Sequence, residues 1–217
     1  MKIYQYDHCP FCVRAIMVAN YKQINYEPVT LLNDDEKTCF DLIGAKQVPI
    51  LQFNDGHSMP ESLDIAHRLD QIGAPDKVIL PLADVDRLME PVRSHNLAIS
   101  CLLYPRDIAI QLPEFATPSA IAYFQNKKEK SIGRSFAEAM SQTAEHMQTV
   151  AQMLAGFPSL TLPSEQDQRI SWDDVHVFPF LRNLTIVKGL AFPERVRKYI
   201  EEVAGITAVR TYFDRAI

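Results

Sequence analysis

Two cysteines three positions apart, in Cys9-Pro10-Phe11-Cys12, are the residues of this chain whose types and spacing most plainly carry chemistry. A thiolate is a nucleophile and a thiol is a poor one, so reactivity turns on what would ionise Cys9. If Pro10 is the first residue of a helix, Cys9 is its N-cap. Its sulfur then lies over unpaired backbone N–H groups at the positive end of the helix dipole. Cysteines so placed in Cys-x-x-Cys motifs have pKa values of roughly 3.5–7.5, against about 8.5 for a free one. Cys12, in the first turn, is more shielded, yet close enough to close a disulfide. The expected chemistry is thiol–disulfide exchange, with Cys9 attacking and Cys12 resolving.

The other candidate groups point elsewhere. A structural zinc site needs a second ligand pair at finger-like spacing, but Cys39 and Cys101 are isolated and the six histidines are scattered, so no metal is expected. Cys39 and Cys101 each lie in a helical pattern, where a free cysteine is a small buried hydrophobe. Four cysteines in 217 residues are too few for a disulfide scaffold. His8 could be read as a general base for Cys9; with the thiol already activated by the helix terminus, the expectation is an exposed histidine.

The elements that must position Cys9 are legible from patterning. Lys2–Tyr6, Tyr26–Leu31 and Val48–Phe53 are β-rich runs, and Pro10 to about Tyr21 carries Ala15, Ile16, Val18 and Ala19 at helical spacing. This is a β-α-β unit with Cys-x-x-Cys at its strand-to-helix junction. Acids at Asn33-Asp34-Asp35-Glu36 and a stop at Gly44 predict a short helix over about 35–43. Asn54-Asp55-Gly56 predicts a hairpin between Leu51–Phe53 and His57–Met59, and Pro60-Glu61-Ser62 leads into a helix to about Ile72. Residues 1–72 thus read as an α/β domain and 73–83 as a linker marked by Gly73, Pro75 and Pro81. Residues 84–217 read as an all-helical domain without internal repeats. Ser135–Leu154 has the period of one amphipathic helix. Ser171-Trp172-Asp173-Asp174 is a capping box for another, in which Trp172, the only tryptophan, is expected to pack. Pro193 fits the first turn of a further helix to about Val203.

Composition removes several classes. Apolar residues at 47% and charged ones at 23% are those of a soluble globular chain. The most apolar stretch, Leu97 to Tyr104, is far short of the roughly 20 residues of a spanning helix. A net charge of −5 offers phosphate backbones no attractive field, so neither a membrane nor nucleic acid is expected as a partner. The start, Met1-Lys2-Ile3-Tyr4-Gln5-Tyr6-Asp7, lacks the apolar core of a signal peptide, and a cytoplasmic, reducing location is expected.

Three segments in order, Tyr6-Asp7-His8-Cys9-Pro10-Phe11-Cys12, Lys46-Gln47-Val48-Pro49-Ile50-Leu51 and Met59-Pro60-Glu61-Ser62-Leu63-Asp64-Ile65, resemble the glutaredoxin and glutathione-transferase branch of the thioredoxin-like superfamily. Within it the chain is similar to the two-domain glutaredoxins, also through Leu31-Leu32-Asn33-Asp34-Asp35, Ala116-Thr117-Pro118, Tyr123-Phe124 and Phe178-Pro179-Phe180-Leu181-Arg182-Asn183-Leu184-Thr185. The resemblance covers most of the chain. It implies an α/β thioredoxin-like N-terminal domain followed by an all-α glutathione-transferase-like C-terminal domain. It also implies glutathione as co-substrate, and disulfide-containing or glutathionylated proteins as targets; a monomer is expected.

Carried over by residue, the resemblance implies catalysis by Cys9 and Cys12 and a glutathione site made of Phe11, Val48, Pro49, Glu61 and Ser62. Pro49 would be cis, against a base rate of about 5–6% for X–Pro bonds. The Val48 backbone would pair with the cysteinyl part, and Glu61 and Ser62 with the γ-glutamyl end. Physical chemistry agrees on the last pair: a helix N-terminus with a serine hydroxyl suits a carboxylate, and a neighbouring acid can take an ammonium. Lys46 or Gln47 would reach the glycyl carboxylate. Phe11 stands where many relatives carry tyrosine, so the site lacks a hydroxyl there. Two other functions fit the same fold: a transferase conjugating glutathione to electrophiles, which has no use for Cys12, and a non-enzymatic interaction module, which has no use for either cysteine.

Overall fold

A four-stranded sheet in the order β2-β1-β3-β4 organises the first third of the chain, in a computed structural model that describes residues 1–217. β1 (Lys2–Gln5) runs parallel to β2 (Glu27–Thr30) and antiparallel to β3 (Ile50–Gln52), which in turn pairs antiparallel with β4 (Ser58–Met59). The parallel pair is joined by α1 (Pro10–Tyr21), completing the expected β-α-β unit. Successive strand residues face opposite sides. The paired Ile3 and Leu51 therefore enter the main core with α1 and α3 (Ser62–Ile72), while Ile50 joins Tyr6, Leu31 and Cys39 in a smaller core under α2 (Glu36–Ile43).

The connections follow from turn chemistry. Asp35 caps α2 by accepting from the Thr38 amide at 2.9 Å, and Gly44 ends it at φ 71°, a left-handed conformation cheap only for glycine. Gly56, at φ 89°, makes the predicted hairpin turn, which Phe53 N–H closes by donating to His57 O at 2.8 Å.

From Val85 onward every regular element is helical: α4 (Val85–Ser94), α5 (Asn96–Ala109), α6 (Pro118–Ile132), α7 (Phe136–Ser141), α8 (Thr143–Ala155), α9 (Trp172–Leu184) and α10 (Glu194–Thr207). None is long and apolar enough to cross a membrane. α1 packs on α3 on one side and on α9 and α10 on the other, so one continuous core runs through both halves. The segment between α3 and α4 is tied to both: Ala74 N–H donates to Lys22 O at 2.9 Å, and Leu80 exchanges backbone hydrogen bonds with Ile170 and Trp172.

Three local expectations are corrected. The predicted single helix over Ser135–Leu154 is two, broken at Gln142. The hydroxyls of Ser141 and Thr143 donate back to the carbonyls of Glu138 and Met140, which bends the ladder, and Arg106 holds Thr143 in place. Pro193 is the N-cap of α10 and not a first-turn residue, and that helix runs on to Thr207. Helices α4 and α5 each carry an internal proline, Pro91 and Pro105, which hides their period in the sequence. The capping box at Ser171 is present, with Ser171 and Asp174 exchanging hydrogen bonds and Tyr199 donating to Asp174 at 2.7 Å.

Candidate functional site

Cys9 is the N-cap of α1, with extended backbone (φ −76°, ψ 114°) and Pro10 at the first helical position, as the motif predicts. It is partly exposed, whereas Cys12 is fully buried and its sulfur accepts from the Tyr6 amide at 3.4 Å. The Cys9 pKa is held down at about 7, first by the hydrogen bond from Cys12; burial opposes this, and the charge of His8 and the amides of Cys12 and Phe11 add to the lowering. Cys12 goes the other way: burial, then the hydrogen bond and charge of Cys9, push it well above the usual thiol range. The pair is thus divided into an ionisable outer thiol and an inner proton donor.

Two hollows flank this turn. A groove of about 470 Å³ is lined by all five residues expected for glutathione: Phe11, Val48, Pro49, Glu61 and Ser62. The Val48–Pro49 bond is cis. Glu61 occupies the N-cap position of α3 at φ 71°, a conformation few non-glycine residues adopt, and its side chain makes no capping bond; its Oε1 instead accepts from Gln47 Nε2 at 2.9 Å. The other hollow, about 500 Å³, opens between the two halves beside Cys9, with Tyr6, Lys46, Tyr104, Tyr123 and Phe180 in its wall. Lys46 and Gln47 part company here. Gln47 reaches the groove, while Lys46 Nζ donates to Tyr6 Oη at 2.7 Å and to Asp35 O at 3.0 Å.

His8 is not exposed. Its ring stacks on Tyr6 and Phe115 and meets Phe124 edge-on, and its Nδ1 lies 2.6 Å from Glu114 Oε1. Burial alone would lower the His8 pKa, but the hydrogen bond to Glu114 and the charges of Asp107, Glu114 and Cys9 raise it. The helical half supplies three further groups behind the motif. Arg182 donates to Asp7 Oδ1 at 2.7 Å and to Asp7 O at 2.9 Å, Asn183 donates to His8 O at 2.6 Å, and Tyr212 donates to Asp7. Sequence reasoning assigned no role to Glu114, Arg182 or Asn183. The partners lie 106 and 175 residues from the motif, and no periodicity reports a pairing at that distance. Cys39 and Cys101 are fully buried, each among apolar side chains. No group of three or more His, Cys, Asp or Glu side chains is placed to hold a metal.

Residues 86–216 match the model of the glutaredoxin 2 C-terminal domain, and residues 3–76 that of the glutathione S-transferase N-terminal domain. Over 218 aligned positions, covering all of both chains, the protein is 38% identical to glutaredoxin 2 of Escherichia coli strain K12. The chain belongs to the glutaredoxin 2 family. As a glutaredoxin it is a glutathione-dependent thiol–disulfide oxidoreductase with a thioredoxin-like sheet domain and a glutathione-transferase-like helical domain. The crystal structure of Salmonella typhimurium glutaredoxin 2 in complex with glutathione superposes with a TM-score of 0.91 at 38% identity, over all of this chain and 98% of that one. A glutathione transferase of Phanerochaete chrysosporium, 17% identical, shares the fold with a TM-score of 0.62 over 97% of this chain and 98% of its own.

Proposed function

We propose that Cys9 is the attacking thiolate and Cys12 the resolving thiol of this glutaredoxin, and that the groove of Phe11, Val48, Pro49, Glu61 and Ser62 holds glutathione. The observation that carries the reading is the division of the pair, Cys9 held at about 7 on the helix N-terminus and Cys12 raised and buried behind it. In the first step Cys9 attacks the glutathione sulfur of a protein–glutathione disulfide: the Cys9–glutathione bond forms, the old disulfide breaks, and the protein leaves as its thiolate. A second glutathione thiolate then attacks that mixed disulfide, giving glutathione disulfide and regenerating Cys9. With a protein disulfide as substrate, Cys12 instead attacks the mixed disulfide on Cys9, releases the protein dithiol, and leaves Cys9–Cys12 oxidised for glutathione to reduce.

The hollow between the halves opens beside Cys9 and gives the target room opposite the glutathione groove. Such a hollow also suits a transferase's electrophile, but a transferase needs no buried second thiol. Glutaredoxin potentials of about −200 to −230 mV lie near the cytosolic glutathione poise of about −220 to −260 mV, which supports turnover in a cytoplasmic setting. Disulfide-containing and glutathionylated proteins are the proposed partners and a monomer the proposed state. Residues 1–72 are proposed to act as the redox domain and 84–217 as its helical partner, joined through 73–83.

Reduction of a glutathionylated peptide and of a protein disulfide by wild type, Cys9→Ser and Cys12→Ser tests the assignment. Cys9→Ser loses both reactions; Cys12→Ser keeps the first and loses the second. Full activity in Cys9→Ser would falsify it.

A further inference from the structure

Arg14 is a buried cation without an anion. It lies in the second turn of α1 at 8% exposure, its Nε is buried with no hydrogen-bond partner, and no salt bridge includes it. What it touches is aromatic: its guanidinium carbon is 5.0 Å from the centre of the Phe11 ring and 5.8 Å from that of Phe180. Those rings, one from each half of the molecule, meet edge to face at 6.2 Å beside the guanidinium. Burial pushes the guanidinium pKa down, and the charge of Cys9 opposes it. Buried charges are ordinarily paired, because a charge removed from water without a partner is costly. An arginine left in this state is one half of an ion pair.

The hollow it faces indicates the other half. Arg14 lines the glutathione groove and is the only cation there, while Glu61 and Asp64 line it too without coming within ion-pairing distance of the guanidinium. Separated charges of opposite sign around one hollow fit a zwitterion, an ammonium and a carboxylate on the same carbon. In glutathione that group is the head of the γ-glutamyl residue, and the planar guanidinium fork matches its carboxylate with two parallel hydrogen bonds.

We propose that Arg14 binds the α-carboxylate of the γ-glutamyl group, opposite the Ser62 end of α3, and so selects glutathionyl disulfides over other mixed disulfides. The inference rests on the reading that this groove holds glutathione.

The test compares two peptide mixed disulfides, one with glutathione and one with γ-aminobutyryl-cysteinyl-glycine, which lacks only that carboxylate. Wild type reduces the glutathionyl peptide about 30-fold more efficiently in kcat/KM, the loss expected for one charge-assisted pair. Arg14→Met falls by about the same factor on the glutathionyl peptide but only about threefold or less on the analogue, so the two losses do not add. Arg14→Lys, which keeps the charge without the fork, recovers part of the discrimination and serves where Arg14→Met does not fold. Equal rates of wild type on the two peptides overturn the proposal. So does an Arg14→Met protein that slows both peptides alike and raises the Cys9 pKa in an alkylation profile, since the guanidinium then serves the thiolate. Failure of wild type to reduce either peptide sinks the underlying reading instead.

Discussion

His8 Nδ1 lies 2.6 Å from Glu114 Oε1, and the same Glu114 oxygen accepts from the His8 amide at 3.0 Å. Glu114 is fully buried and belongs to the helical half, so that half grips both the ring and the backbone of the residue next to Cys9. In the low dielectric of this contact a charge on His8 acts on Cys9 with little screening. The helical domain therefore helps to set the ionisation of a thiol it does not contain.

Glu114→Gln removes the carboxylate whose hydrogen bond does most to raise the His8 pKa, ahead of the charge of Asp107, and with His8 less charged the Cys9 pKa rises from its value near 7. A rise of about one unit is the scale of one lost neighbouring charge. It cuts the thiolate fraction at pH 7, and hence alkylation by iodoacetamide, about fivefold. His8→Phe gives the same shift. An unmoved alkylation profile in both variants would leave the helix terminus and Cys12 as the whole cause.

Asp107, beside the same pair, has its pKa raised to about 7, chiefly by burial, with His8 pulling it partly back. Its folded value lies above the unfolded 3.8, so the stability it contributes is full below about pH 4 and lost as pH rises through 7. His8, also raised, drives stability the same way as pH climbs past 6.5. Asp107→Asn removes the first of these titrations. Urea unfolding is expected to show a flatter decline from pH 5 to pH 8 and a gain at pH 8 of at most about 4 kcal/mol. A decline as steep as wild type's rules the buried carboxyl out as its source.

The parts of the fold legible in the sequence are those specified within one turn or one hairpin. Pro10 at N1 placed Cys9, Asp35 and Gly44 bounded α2, and Asn54-Asp55-Gly56 set the β3–β4 register, each through a local backbone requirement. The resemblance then supplied what no local rule could: the cis Val48–Pro49 bond and the grouping of Phe11 with Glu61 and Ser62 around one groove. Side chains whose meaning depends on a distant partner stayed hidden. His8 reads as exposed because the covering rings, Phe115 and Phe124, come from another domain, and Arg14 carries no signal because one of the two rings it packs against, Phe180, comes from the helical half.

Gly73 ends α3 against the end of α1, and a Cβ there would come within 2.5 Å of Lys22 Cβ and 2.8 Å of Lys22 O. Lys22 cannot yield: it is buried, its carbonyl accepts from Ala74, and its Nζ pairs with Asp70 at 2.9 Å. Gly73→Ala therefore forces α1 and α3 apart and destabilises by about 1–3 kcal/mol, the range of overpacked sites. The urea midpoint reads this directly, and a change below about 0.5 kcal/mol, the scatter of neutral surface substitutions, means the turn has slack.

Arg182 is buried, and its guanidinium holds Asp7 Oδ1, Asp7 O, the Tyr212 hydroxyl and Arg210 O, so one side chain ties the strand leaving β1 to the chain's C-terminal segment. Burial of Asp7 disfavours its charge, yet Arg182 and Tyr212 outweigh that and hold its pKa below 3.8. The sign is the acid one: this contribution is present above about pH 4 and lost as pH falls through the lowered folded value. Arg182→Met strands Asp7 and the Tyr212 hydroxyl with packing left intact. Because Asp7 keeps some contact with water, the cost at pH 7 falls at the low end of broken buried pairs, about 3 kcal/mol. Asp7→Asn in the Arg182→Met background should then cost much less than in wild type, and the non-additivity of the two measures the clamp. The variant also frees the Asp7-His8-Cys9 backbone, so disulfide reduction falls even where the protein stays folded. Strictly additive losses in urea, with wild-type turnover in the single variants, contradict a clamp between the domains.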